Sequence, residues 1–163
     1  RHPMDCGADL CCDSAHKTLP VLTGGAYLHI SQKAPHFFEQ NAETAMSVFA
    51  STSPSYLILQ SLDLANRYVT LNFKEKLSTT YKVVSKIKKE LIHHGYELRG
   101  NEPLKLTVAP KSMGYSGYEI ENILNEYGIT SEFSDPDYTV FMFNCENDKT
   151  QLETLKQVLL SLA

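Results

Sequence analysis

Three side chains capable of chemistry lie together near the start of the chain: Ser14, His16 and Lys17, within the run DSAHKTLP at residues 13–20. A lysine amine is a nucleophile toward an aldehyde, and a hydroxyl and an imidazole N–H are donors suited to an anion. Taken alone, Ser-x-His-Lys is a weak signal, because a lysine beside a histidine is usually a surface pair. Here the run follows a predicted strand, and α/β proteins bind ligands where strands end. The run is therefore a candidate site, with a turn-capping hydroxyl as the alternative for Ser14.

Two short strands and a turn are predicted to position this run. Residues 8–13 are mostly apolar and predict a strand buried on both faces. Residues 26–30 predict a second strand after a glycine turn at 23–25. Helical spacing at 37–49 predicts a helix, and a second helix is predicted from Pro54, a residue suited to a first helical turn.

A change of pattern after residue 72 predicts two structural units. A buried strand needs neighbours that residues 1–72 do not supply, so this part is expected to be the incomplete end of a larger domain. The longest predicted helix falls within a linking segment at 73–95 and stops at a glycine. Residues 96–163 are expected to form a small α+β domain. Its predicted strand, helix, strand and helix cover residues 104–109, 117–127, 138–144 and 151–162.

Composition limits the classes of function. The formal net charge of −4 over 163 residues gives no general attraction to nucleic acid or to an anionic membrane. The most basic stretch, residues 82–89, is interpreted as the solvated face of a helix. No apolar run approaches the ~20 residues of a membrane-spanning helix, and no signal peptide is apparent, so a cytoplasmic location is expected.

The cysteines predict neither disulfides nor a metal. Four cysteines are too few and too unevenly spaced for a secreted disulfide framework. Adjacent Cys11 and Cys12 point to opposite faces of a strand and cannot easily share one tetrahedral metal ion. Buried, reduced thiols and no metal-ligand set are therefore predicted.

The segment around Lys17 closely resembles the cofactor-lysine region of the ornithine/lysine/arginine decarboxylase family, both at residues 13–20 and at GAYLHI, residues 25–30. The resemblance continues through STSPSY, GYSG and YGITSE at residues 51–56, 114–117 and 127–132. It covers most of the chain, and several motifs in order are more specific than any one. It implies an α/β fold class: the C-terminal part of the large domain of a fold type I transferase dependent on pyridoxal phosphate (PLP), followed by a small α+β domain.

The resemblance implies roles for the residues of the DSAHKTLP run. Lys17 would carry PLP as a Schiff base, be displaced by the substrate amine and later help to return a proton. Ser14 and His16 match positions that contact the cofactor phosphate. Tyr27, His29 and Tyr56 also match the family pattern, but core packing explains all three adequately.

Further roles are implied downstream of the run. Ser51, Thr52 and Ser53 match a segment that reaches the phosphate of the neighbouring subunit, with Thr52 the favoured contact. From the residues alone these hydroxyls predict an N-cap cluster before Pro54. Glu132 aligns with an acidic position near the substrate entrance, where its carboxylate would meet the distal cation of lysine, arginine or ornithine.

The resemblance also implies missing parts. The family's partner for the pyridine nitrogen, its ring-stacking histidine and its main phosphate loop all precede the lysine, whereas only 16 residues precede Lys17 here. The chain is therefore expected to be the C-terminal portion of a homodimeric or larger enzyme, inactive without the N-terminal half. The implied reaction is decarboxylation of lysine, arginine or ornithine to a diamine or polyamine precursor. An aminotransferase or aldolase reaction on the same fold, and a non-catalytic assembly module, are the alternatives.

Overall fold

The computed structural model describes residues 2–51 and 53–163. The chain divides into two compact units, Arg1–Leu71 and Asn72–Ala163. The elements of the first unit are β1 Leu10–Asp13, β2 Tyr27–Ile30, α1 His36–Phe49 and α2 Tyr56–Thr70, with 3-10 turns at Pro3–Cys6 and Ala15–Lys17. Those of the second unit are α3 Phe73–His93, β3 Glu97–Arg99, β4 Lys105–Ala109, a 3-10 turn at Pro110–Met113, α4 Gly117–Glu126, β5 Phe133–Ser134, β6 Thr139–Met142 and α5 Lys149–Ser161.

The first unit is built on an antiparallel pair of strands. β1 and β2 pair with Cys11 opposite His29 and Asp13 opposite Tyr27. Because side chains alternate along a strand, these four side chains share one face of the pair, and the neighbouring residues Leu10 and Leu28 lie on the other.

The core of the first unit is small. Ala15, Val21 and Ala65 are buried, and α1 contains no buried residue among those described. The prediction that residues 8–13 form a strand buried on both faces is wrong, since Leu10 is 39% exposed. Within the described residues β1 has β2 as its one strand neighbour, so little covers its faces.

The prediction of buried thiols is also wrong. Cys6 and Cys12 are exposed, and Cys11 and Cys145 are half-buried. All four are free thiols in the structure. Their exposure follows from their positions in a short turn, a thinly covered strand and a loop.

The start of α2 differs from the prediction. The helix begins at Tyr56 with Ser55 as its N-cap, so Pro54 precedes the helix and does not lie in its first turn. The hydroxyl of Ser51 instead accepts a hydrogen bond from the backbone N–H of Ser53 at 3.1 Å. Ser51 and Ser53 thus contact each other in the chain before α2, and the N-cap of that helix is Ser55.

The second unit contains the larger core. Its four-stranded antiparallel sheet has the order β3-β4-β6-β5, with Leu106 of β4 opposite Phe141 of β6. Apolar side chains of α3, α4 and α5 pack with the sheet. The buried residues are Val84, Ile87, Leu91, Tyr96, Leu106, Val108, Ile120, Leu124, Phe141, Phe143, Leu152, Leu155, Val158 and Leu159.

Most of the predicted elements of the second unit are confirmed within two residues at each end. β3 and β5 were not predicted, because strands of three and two residues are too short to show alternation. In the basic stretch on α3, Lys88 departs from the expected solvated face: it is half-buried and donates to the Glu102 carbonyl at 2.5 Å. Burial lowers the pKa of this amine.

Among the described residues, no helix combines the length and apolar character needed to cross a membrane. The assignment of the two units to the end of a large domain and a small C-terminal domain stays a prediction.

Candidate functional site

Lys17 lies at the end of the turn that follows β1. Strand β1 ends at Asp13, and Ala15 of the next turn is buried at 3% exposure, which anchors the turn to the small core. The backbone N–H of Lys17 donates to the Ser14 carbonyl at 3.1 Å. Lys17 itself is exposed. The sequence therefore fixes the backbone of the lysine while leaving the side chain accessible.

His16 is oriented by the carbonyl of Gly25. The backbone N–H of His16 donates to that carbonyl at 3.4 Å, and the ring atom Nδ1 lies 3.2 Å from the same oxygen. Because a carbonyl only accepts, this geometry assigns the proton to Nδ1. The other ring nitrogen, Nε2, can then donate to an anion only when the imidazole is protonated.

Ser14 occupies the N-cap position of the turn at Ala15–Lys17, yet its side chain makes no capping hydrogen bond in the described part of the chain. The alternative reading of this hydroxyl as a turn cap is therefore wrong. Ser14 is exposed. Its O–H can donate to a bound anion beside Lys17.

The loop between Lys17 and β2 is held closely against α2. Gly24 has φ of +96°, a left-handed conformation that favours glycine. A Cβ on Gly25 would lie 2.3 Å from Cγ1 of Val21, so there is no room for a side chain. The Leu22 N–H donates to Oγ of Ser61 on α2 at 3.1 Å. These contacts position the Gly25 carbonyl that orients His16.

The other predicted site residues stand apart from this turn in the sequence. Ser51 and Ser53 are exposed, and Thr52 lies outside the described residues. Glu132 is exposed and belongs to the second unit, where its backbone N–H donates to the Val140 carbonyl at 2.8 Å. The roles of these four residues stay predictions.

Three residues were attributed to core packing. For His29 this explanation is wrong, since its side chain is 42% exposed and it lies outside the small core of the described residues. For Tyr27, which is half-buried, the explanation is confirmed in part. Tyr27 packs against the small core, and its hydroxyl lies 3.0 Å from the Leu62 carbonyl and from Oδ1 of Asn66. Burial raises the pKa of this hydroxyl. Tyr56 is 85% exposed at the first position of α2, so core packing is the wrong explanation for it.

Sequence reasoning missed a cluster on the β1–β2 face that carries Asp13. Nε2 of His2 lies 2.7 Å from Oδ2 of Asp13, and Nε2 of His29 lies 3.1 Å from the same oxygen. The Cys11 thiol donates to Oδ1 at 3.1 Å. The hydrogen bond from His2 is the main cause that lowers the pKa of Asp13, and the bond to Asp13 raises the pKa of Cys11.

Part of that cluster was accessible from the sequence. Cys11 and Asp13 alternate along one predicted strand, and Tyr27 and His29 alternate along the next, so a hairpin register would have placed all four together. No periodicity indicates the third element, His2, which reaches the face from the turn before β1.

A comparison with known families decides the relationship. The sequence pattern of the family described as "Orn/Lys/Arg decarboxylase, major domain" matches residues 5–106. The chain belongs to the Orn/Lys/Arg decarboxylase family.

Curated relatives agree with this membership. The chain is 37% identical to the uncharacterized protein YaaO of Bacillus subtilis over 79% of its own length and 28% of that protein. It is 26% identical to an arginine decarboxylase of Bacillus subtilis over 98% of its own length and 35% of that enzyme. The chain thus spans about a third of the length of the curated relatives that it matches.

Solved structures confirm the predicted α/β fold. The constitutive lysine decarboxylase of E. coli superposes with a TM-score of 0.74 at 20% identity, over 93% of this chain and 28% of that enzyme. An alanine–glyoxylate aminotransferase from Nostoc sp. superposes with a TM-score of 0.71 at 17% identity, over 98% of this chain and 49% of that protein. The chain therefore has the fold of part of a fold type I PLP enzyme.

The donor set of the turn fits the cofactor that this fold implies. PLP has an aldehyde and a phosphate, and the turn offers an exposed amine from Lys17 beside two phosphate donors, the Ser14 hydroxyl and the His16 ring. A contact from His16 Nε2 to a phosphate would be a charge-assisted hydrogen bond, because Nδ1 faces the Gly25 carbonyl.

Proposed function

We propose that this chain contributes the cofactor-bearing lysine, Lys17, to a PLP-dependent decarboxylase of lysine, arginine or ornithine. The observation that carries the proposal is the Lys17 turn itself. In a chain of this family, it presents an exposed lysine at the end of a strand, together with a Ser14 hydroxyl that makes no capping hydrogen bond among the described residues.

When bound, PLP supplies an electron sink that accepts the electrons left when a carboxyl group departs from the α-carbon. The side chains supply attachment, orientation and a proton. Lys17 would hold the cofactor through Nζ, and its amine, when free, would return a proton to the α-carbon of the substrate. Ser14 Oγ and protonated His16 Nε2 donate to the phosphate and fix the cofactor's position.

Residues beyond the turn complete the proposed site. Ser51, Thr52 and Ser53 contact the phosphate bound in a neighbouring subunit, which requires a homodimer or a larger homo-oligomer. The exposed carboxylate of Glu132 meets the distal cation of the substrate. The part of the enzyme that precedes this chain supplies the remaining ring contacts, and the complete enzyme acts in the cytoplasm.

A second reaction class is favoured by one observation, the superposition of the chain on an aminotransferase with a TM-score of 0.71. Transamination would use the same lysine, cofactor and phosphate donors. The two reactions differ in their products: decarboxylation gives CO₂ and a diamine or agmatine, whereas transamination gives a keto acid and retains the carboxyl group.

The test is product analysis with the full-length protein, PLP, a 2-oxo acid as amino acceptor, and each of L-lysine, L-arginine and L-ornithine. Decarboxylation predicts CO₂ and the matching amine from at least one substrate, and the loss of both products in Lys17→Ala. Lys33→Ala is the matched control, since it removes another exposed lysine of the same unit. If a keto acid forms without CO₂, the protein is an aminotransferase and the decarboxylase proposal is wrong. CO₂ release that survives Lys17→Ala would refute the role of Lys17.

A further inference from the structure

We propose that His2, Asp13 and His29 form a binding site for one divalent transition-metal ion of the zinc class. The site goes beyond the proposed decarboxylase chemistry and does not depend on it. Each of the three side chains offers one ligand atom, and the three atoms lie within 4.8 Å of one another.

The separations suit a single ion. Zinc bonds of about 2.0–2.1 Å to nitrogen and oxygen place neighbouring ligands of a tetrahedral site about 3.3–3.4 Å apart. The two Nε2 atoms lie 2.7 and 3.1 Å from Oδ2 of Asp13, so movements of less than 1 Å at each contact make room for the ion. The rings of His2 and His29 meet edge to face with centroids 5.3 Å apart, which directs them to a shared point from different sides.

The donor types select the class of metal. Two imidazoles and one carboxylate suit zinc, cobalt, nickel and copper, whereas magnesium and calcium prefer sets made of oxygen alone. A set of three protein ligands leaves a fourth position for water.

The three ligands come from three elements of the first unit. Asp13 ends β1, His29 lies in β2 diagonally across the pair, and His2 is the N-cap of the turn at Pro3–Cys6. The Cys11 thiol donates to Oδ1 of Asp13, which leaves Oδ2 as the oxygen that faces both imidazoles. An ion bound here ties the N-terminal turn to the β1–β2 pair.

Binding has a local consequence at Met4. The Met4 N–H donates to Nδ1 of His2 at 3.3 Å, so that Nδ1 is an acceptor and Nε2 carries the proton. An ion on Nε2 moves this proton to Nδ1, and the long bond from Met4 is lost. The Met4 amide therefore reports occupancy of the site independently of any enzymatic activity.

The experiment titrates the purified full-length protein with Zn²⁺ alone by calorimetry and with Co²⁺ alone by visible absorption. We expect one ion per chain with a Kd below about 100 μM, a cobalt spectrum of nitrogen and oxygen ligands, and faster hydrogen exchange at Met4 when zinc is present. His29→Gln and Asp13→Asn are each expected to weaken binding at least 10-fold, because changes even in the outer shell of metal sites cost about 10–100-fold.

His36→Gln is the matched control. His36 is another exposed histidine of the first unit beside a carboxylate, 3.7 Å from Glu39, and its loss is expected to leave the Kd unchanged. Circular dichroism establishes that each variant is folded. The proposal is overturned if zinc does not bind, if binding is unaffected by His29→Gln and Asp13→Asn, or if a strong thiolate-to-cobalt absorption places the ion on the cysteines.

Discussion

Replacing Gly25 with alanine tests how the loop after Lys17 holds His16 in place. The new Cβ would lie 2.3 Å from Cγ1 of Val21 and 3.2 Å from the Leu22 carbonyl oxygen. Favourable carbon–carbon contacts lie at about 3.5–4.0 Å. Val21 is buried and β-branched, so it has little rotamer freedom with which to move away.

The expected cost of Gly25→Ala is that of overpacking a core, about 1–3 kcal/mol. Because the Gly25 carbonyl accepts both hydrogen bonds of His16, the loop and the turn should loosen together. If the free energy of local opening falls by this amount, the rate of amide hydrogen exchange rises about 5- to 150-fold. The assay is hydrogen exchange on the backbone amide of His16, compared with amides of β4 in the second unit as an internal control.

A double-mutant cycle identifies the cause. Val21→Ala alone should cost about 1–2 kcal/mol in lost burial, but in combination with Gly25→Ala it removes the clashing Cγ1. The double variant should therefore be at least about 1 kcal/mol more stable than the sum of the single effects predicts. Additive effects, or exchange at His16 that is unchanged in Gly25→Ala, would refute this account of the loop.

Two further predictions concern the core of the second unit. In Tyr96→Phe, the buried bond from the hydroxyl to the Leu159 carbonyl, 2.5 Å long, is lost, and the free energy of unfolding should fall by about 1 kcal/mol in urea denaturation. Burial raises the pKa of Tyr96 from 10.0 to about 12, so the protonated form stabilises the fold, and this contribution is full below the unfolded pKa and lost as pH rises toward 12. The alkaline decline in stability should be shallower in Tyr96→Phe; an equal decline would contradict the assignment. Thr139→Val removes the buried bond from Oγ1 to the Gly117 carbonyl at 2.8 Å and should cost about 1–3 kcal/mol in the same assay, whereas an unchanged midpoint would show that this carbonyl finds another donor.

The second unit was predictable from the sequence because its elements bury one face each. α3 repeats its apolar residues at helical spacing, and Val84, Ile87 and Leu91 from that stripe are all buried. Gly95 ends the pattern with φ of +92°, as a glycine stop should. Local pattern and tertiary packing agree here, so the pattern is informative.

The first unit was harder to predict because burial does not follow its pattern. Leu10 and Cys12 read as buried strand residues, yet β1 has one strand neighbour in the described part of the chain. The hydroxyls before Pro54 read as a helix cap, but the helix begins after Ser55. In both cases the sequence indicates the element correctly, whereas exposure and boundary depend on tertiary contacts that no local pattern encodes.

Part of the candidate site could likewise be predicted from the sequence, and part could not. The Lys17 turn could be located from the order of motifs, since a strand, a Ser-x-His-Lys run and two glycines follow one another within about 20 residues. The hydrogen bond between Nδ1 of His16 and the Gly25 carbonyl could not be predicted, because it depends on the path of the loop between these residues. The meeting of His2 with Asp13 depends likewise on how the N-terminal turn folds back.

Mapping the lysine that carries PLP tests the proposed role of Lys17 most directly. The full-length protein is loaded with PLP, reduced with borohydride to fix the cofactor on its lysine, digested and mapped by mass spectrometry. We expect a stoichiometric PLP adduct on the peptide that contains Lys17, its absence in Lys17→Ala and its persistence in Lys33→Ala. A stoichiometric adduct on another lysine, with Lys17 unmodified, would contradict it.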